Sequence, residues 1–180
     1  MKKILFALCL ILTLGLLTGC GDDVSDDPNL SEEGKTVVTE MGGPFTASEF
    51  DKFLEDLPKM PGLTAESQQD IGDASGAALS EAVMSAAKAA GWDEERFMYI
   101  YSHTMTMVSL EQMDKIRAQM ETQLKDLPEE QKKIMEQMMG QQIGGQAEAM
   151  QAEVDQQVPA SEQTIIKDNM AAVYTALGIE

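Results

Sequence analysis

DEERFMYIYSHTMTMVSLEQMDKIRAQMETQLKDL, residues 93–127, decides the fold class. Asp93 has the side chain of a helix N-cap, and Glu94 and Glu95 fall at the positive end of the helix it would start. Met98, Tyr101, Met105, Val108, Met113, Ile116, Met120, Leu124 and Leu127 then recur in steps of three and four, apart from the one step between Val108 and Met113. That is the period of a helix with one buried stripe. Ser109-Leu110-Glu111-Gln112 fills the gap and has the form of a capping box. The segment reads as one long helix, bent at Ser109, running to about Lys125.

The same signals continue on both sides. Upstream, Thr46-Ala47-Ser48-Glu49 is a capping box, followed by Phe50, Phe53, Leu54 and Leu57 at helical spacing and stopped by Pro58 and Pro61. Thr64 can cap a second helix with Ile71, Ala78, Leu79, Ala82, Val83 and Ala86 as its stripe and Gly91 as its C-cap. Downstream, Pro128 suits a first helical position, and Ile134, Met138, Ile143, Ala147, Met150, Val154 and Val158 keep the period. Gly140, Gly144 and Gly145 interrupt it as a flexible joint. Pro159 and Ser161 open a last helix with Ile165, Ile166, Met170, Val173, Tyr174 and Leu177, ended by Gly178. No segment alternates at period two over a useful length. The expectation is one all-α domain over residues 44–180, a bundle of five or six helices with short connections.

The first twenty residues have a different character. Lys2 and Lys3 precede an uncharged apolar run, Ile4–Leu17, which is shorter than the roughly 20 residues of a membrane span. A positive start, an apolar middle and small residues after it make a secretory signal peptide. Leu17-Thr18-Gly19-Cys20 resembles the lipobox of bacterial lipoproteins. The resemblance implies that residues 1–19 are cleaved and that Cys20 becomes the acylated first residue of the mature chain. Acyl chains bury ~0.8 kcal/mol per methylene, and more than one chain makes a lasting anchor. The only other cysteine, Cys9, leaves with the leader, so the mature chain has no disulfide. Gly21, rather than Asp, follows the cysteine. In lipoproteins of the enterobacterial type this implies the outer membrane, facing the periplasm.

Gly21–Lys35 is acidic and poor in apolar side chains. Such composition cannot bury enough surface to offset ordering entropy, so residues 20–43 read as the lipidated cysteine and a flexible acidic tether. The aspartates lack the alternation and central glycine of a calcium loop. Loss of Lys2 and Lys3 with the leader takes the formal charge of the chain from −18 to about −20. That charge opposes nucleic acid and anionic surfaces.

Little in the body carries recognisable chemistry. There is no zinc pair, Walker A loop, dinucleotide fingerprint or GxSxG elbow. His103 is the only histidine, and reads as a surface or core-edge side chain. An enzyme on this chain would need a cleft with a perturbed carboxylate or His103 at its floor. Fourteen methionines serve first as core filling. Their soft sulfur is also a Cu(I) ligand, and HTMTM, with His103 and Met107, and EQMM, Glu136–Met139, carry that alternative. LPEEQKKIMEQMM, Leu127–Met139, is similar to the LTxxQ stretches of the Spy and CpxP family of periplasmic helical chaperones, and Leu63-Thr64-Ala65-Glu66-Ser67 echoes the first half of that motif. This resemblance implies a chaperone as a further alternative. Trp92, Phe97, Tyr99 and Tyr101 cluster at a helical junction as core anchors or, where exposed, as a contact surface. The reading is a lipid-anchored envelope lipoprotein whose helical domain is a non-catalytic binding or assembly module without cofactor. Its partners are the bilayer and an envelope protein.

Overall fold

The computed structural model describes residues 24–70, 76–125, 127–133 and 145–179. The expected signal peptide, Cys20, Ile71, Ile134, Gly140, Ile143, Gly144 and the EQMM stretch lie outside them. Among the described residues the fold is all-α, without strands. Its helices are α1 (Glu32–Glu40), α2 (Ala47–Asp56), α3 (Ala65–Asp70), α4 (Gly76–Ala89), α5 (Glu94–Leu124), α6 (Gly145–Gln157), α7 (Ala160–Asp168) and α8 (Met170–Leu177). This is more than the five or six expected. No helix among the described residues is long and apolar enough to cross a membrane.

The tether expectation is corrected from Val24 onward. Ser31 caps α1 by accepting Gly34 N–H at 3.0 Å, and Glu32 and Glu33 occupy its first turn. Leu30 and Val38 are buried in the common core. Asp27, one of the acids taken to keep the segment in solvent, accepts the Ala160 amide at 3.0 Å and so caps α7. Burial pushes its carboxyl up, but the amides of Ala160, Asn29 and Leu30 outweigh this and lower its pKa. Acidic residues here satisfy helix ends, a use that composition does not reveal.

Gly34 brings α1 against the end of α6. The Gln156 carbonyl accepts both Ser31 N–H, at 3.0 Å, and Ser31 Oγ, at 2.9 Å. A Cβ on Gly34 would lie 2.4 Å from that same oxygen.

α5 runs through Ser109 without a break, and the Ser109 hydroxyl donates to the Met105 carbonyl at 2.9 Å instead of capping a new helix. Its buried set differs from the single stripe expected. Phe97, Ile100, Thr104, Met107 and Val108 are buried, while Met98, Tyr101 and Met105 are half-buried. α5 is packed by α2, α4, α6 and α7, and a helix enclosed on several sides has no single apolar stripe. In α4 only Val83 and Ala87 are buried; Ala78 and Ala82 face solvent.

α2 follows its sequence signals. Thr46 Oγ1 accepts Glu49 N–H at 3.2 Å, and Phe50, Phe53 and Leu57 are buried. Phe50 stacks on Phe45 and on Phe53, and Phe53 meets Phe97 at a centroid distance of 5.2 Å. Such ring pairs add ~0.5–1.5 kcal/mol each beyond their buried area. Gly91 (φ +80°) and Gly178 (φ +67°) end α4 and α8 in the left-handed conformation that a Cβ disfavours. The last helix is two, parted at Asn169, whose Nδ2 donates to the Ile165 carbonyl at 2.9 Å.

Candidate functional site

The site forms where α1, α5 and the end of α6 meet. Glu162, in the first turn of α7, is fully buried. Its Oε1 accepts the Phe45 amide at 2.9 Å and the Tyr99 hydroxyl at 2.7 Å. Its Oε2 lies 2.6 Å from His103 Nδ1. Oε2 and Nδ1 share one hydrogen bond, and the two donors on Oε1 hold the carboxyl in place for it. His103 is 8 % exposed and stacks near Tyr99 at a centroid distance of 4.2 Å. Burial, together with the Glu162 charge, pushes the Tyr99 phenol well above its usual pKa. That keeps it a donor throughout the physiological range.

Tyr99 and His103 line a groove of about 720 Å³. Val37 and Met41 flank it from α1 and its C-cap, Met98, Ser102 and Thr106 from α5, and Gln156 and Gln157 from α6. Glu33 and Glu95 stand at its exposed rim. Among the described residues its lining contains no lysine or arginine. Val37 is 42 % exposed, one of few large apolar side chains left so open. The hydroxyls of Ser102 and Thr106 donate to the Tyr99 and Ser102 carbonyls, so no nucleophile is oriented on the imidazole by a hydrogen bond among the described residues.

Two charged braces hold the α5 side of this arrangement. Arg96 makes a bidentate pair with Glu49, at 2.7 and 2.8 Å, and donates to the Met41 and Gly43 carbonyls at 2.9 and 2.7 Å. The Glu49 side chain therefore serves Arg96 rather than closing the capping box at Thr46. Asp56 accepts Trp92 Nε1–H at 3.0 Å and pairs with Lys52 and Lys59 at 3.0 and 2.7 Å. Lys52 Nζ sits 3.9 Å above the Trp92 ring. Burial pushes the Asp56 carboxyl up, but the hydrogen bonds from Lys59, Lys52 and Trp92 prevail and bring it down to about 2.

The structure divides the aromatic candidates. Trp92 and Phe97 are buried and meet edge to face at 5.7 Å. They are core anchors and not a contact surface, because Phe97 is shielded by Phe53 and Trp92 is held by Asp56. Tyr101 is half-buried. Tyr99 alone joins the groove, as part of its floor. Of the HTMTM pair, Met107 is in the core at 1 % exposure, where its sulfur serves packing, and His103 Nδ1 is engaged by Glu162. Among the described residues no group of three or more His, Cys, Asp or Glu side chains is placed to hold a metal ion. At Thr64–Ser67, part of the stretch likened to the chaperone motif, Ser67 N–H donates to Thr64 Oγ1 and Thr64 N–H to Ser67 Oγ, both at 3.1 Å. That is reciprocal capping, with serine in the place of glutamine.

Glu162, Phe45 and the α1 contribution had no place in the sequence reading of the site. An acid in the first turn of a helix is ordinary, and nothing local distinguishes one aimed inward. No protein-family model, curated protein or solved structure matches the chain.

Proposed function

We propose that the chain is a lipoprotein of the bacterial cell envelope, anchored through acylated Cys20, whose helical domain is a non-catalytic binding module with the α1–α5–α6 groove as its ligand site. The groove is the observation that carries this reading. Its volume is within the range of small-ligand sites, and its floor is a buried carboxylate that fixes an imidazole from behind. Polar groups so placed give a ligand its orientation, while Val37, Met41 and Met98 offer it apolar surface. The lipobox at residues 17–20 supports the anchor, and the location we assign is the outer membrane, facing the periplasm.

The binding reading is tested with the full-length acylated protein in detergent. It is incubated with the small-molecule fraction of envelope extract, desalted, and its retained compounds are identified by mass spectrometry. Ser102→Trp fills the groove from an exposed position and should lose what the wild-type protein retains. Equal retention by both, or retention by neither, overturns the reading. For the anchor, Cys20→Ser should leave the membrane fraction; a variant that still pellets with membranes at its normal size refutes it.

One observation favours a second reading, a hydrolytic enzyme. His103 stands at the groove floor with Glu162 behind it, the arrangement of an oriented general base. Turnover of p-nitrophenyl acetate that vanishes in His103→Gln, with the fold retained by circular dichroism, would move the assignment to an enzyme.

A further inference from the structure

We propose that the groove takes a small organic cation, a primary ammonium group carried on an apolar chain. This rests on the binding reading above and adds the chemical class of the ligand.

Three features converge on that class. The rim has two carboxylates, Glu33 and Glu95, and the described lining has no lysine or arginine to neutralise them. The chain as a whole, these two included, carries a formal charge of −18, so the field draws cations and repels anions. At the floor, Nδ1 of His103 is committed to Glu162. The Gln156 and Gln157 side chains complete a polar edge, and Val37, Met41 and Met98 form the apolar one. An ammonium pairs with the rim carboxylates, and an attached hydrocarbon covers Val37. A carboxylate ligand would meet two like charges, and a neutral alcohol would leave the rim unpaired.

A free small molecule fits better than a protein segment. The groove of about 720 Å³ falls within the roughly 300–1,000 Å³ range of small-molecule sites.

The test is a titration of the full-length protein in detergent with 4-phenylbutylamine, 4-phenylbutanol and 4-phenylbutyrate. The methyl resonances of Met41, Met98 and Val37 and the His103 ring resonances report occupancy. The amine should bind roughly three- to tenfold more tightly than the alcohol, the scale of two exposed ion pairs, and the carboxylate more weakly still. Glu33→Gln combined with Glu95→Gln, both exposed positions, should abolish that preference without changing the fold. Binding of the alcohol or the carboxylate as tight as the amine overturns the cation assignment while leaving the groove a ligand site. Silence of all three probes overturns the assignment too, and the extract experiment separately decides the binding reading. An amine preference that survives the double variant shows that the rim is not its source and also overturns the proposal. So does tighter binding of a lysine-bearing pentapeptide, which would transfer the site to a protein ligand.

Discussion

Gly34→Ala sets local propensity against tertiary contact, and the two forecast opposite signs. Alanine favours a helix over glycine by up to ~1 kcal/mol, so α1 in isolation would gain. In the fold, the new Cβ would stand 2.4 Å from the Gln156 carbonyl oxygen. That is backbone at a helix end and cannot swing aside. Restoring contact distance requires α1 and α6 to part by about 1 Å. The two bonds from Ser31 to that oxygen, now 3.0 and 2.9 Å, would then exceed hydrogen-bonding range. Each is worth ~0.5–1.5 kcal/mol, and loosened packing of Leu30 and Val38 adds about 1 kcal/mol. The net expectation is a loss of ~1–3 kcal/mol. Guanidinium denaturation should show a lower midpoint at unchanged slope. A variant as stable as the wild-type protein, or more stable, refutes the close approach and with it the α1 wall of the groove.

Glu162→Ala leaves the Phe45 amide, the Tyr99 hydroxyl and His103 Nδ1 without their partner; the expected loss is about 3–5 kcal/mol by the same denaturation assay, and a loss under 1 kcal/mol contradicts the buried cluster. Arg96→Lys keeps the charge but cannot make the bidentate pair and both carbonyl bonds at once, so ~2 kcal/mol should go; an unchanged unfolding midpoint would show that the brace carries no load. The Asp56 carboxyl is lowered from 3.8 to about 2 in the fold. Its contribution is complete above 3.8 and fades as the pH falls towards 2. Asp56→Asn should therefore flatten that stretch of an acid-unfolding curve followed by circular dichroism, and an unaltered curve there denies the shift.

Local chemistry was readable where helix ends and short stripes set the structure. Thr46, Asp93, Gly91 and Gly178 act where they were expected to, because a cap depends on residues within one turn of it. Phe50, Phe53 and Leu57 are buried as their spacing implied, since α2 has one face towards the core. α1 was hidden by its own acidity: a composition that argues for solvation also contains Ser31, Gly34 and Val38, which cap, admit and bury. On α5 the stripe was one residue out of phase around Phe97 and Met98, because four neighbouring helices pack against α5. The site was least legible. His103 and Glu162 are 59 positions apart, and neither has a neighbour in the chain that points to the other.

The described fold starts at Val24, with a 3-10 turn leading into α1. Val24 is four residues from Cys20, so under the proposed anchor the covalent chain holds it within about 14 Å of the lipidated residue, whatever path it takes. At physiological ionic strength, salt extinguishes a field over ~8 Å. The near edge of a strongly anionic body so held would feel the sign of the headgroups. Lipid composition would then bear on its tilt, and with it on whether the mouth of the groove opens towards the bilayer or away from it.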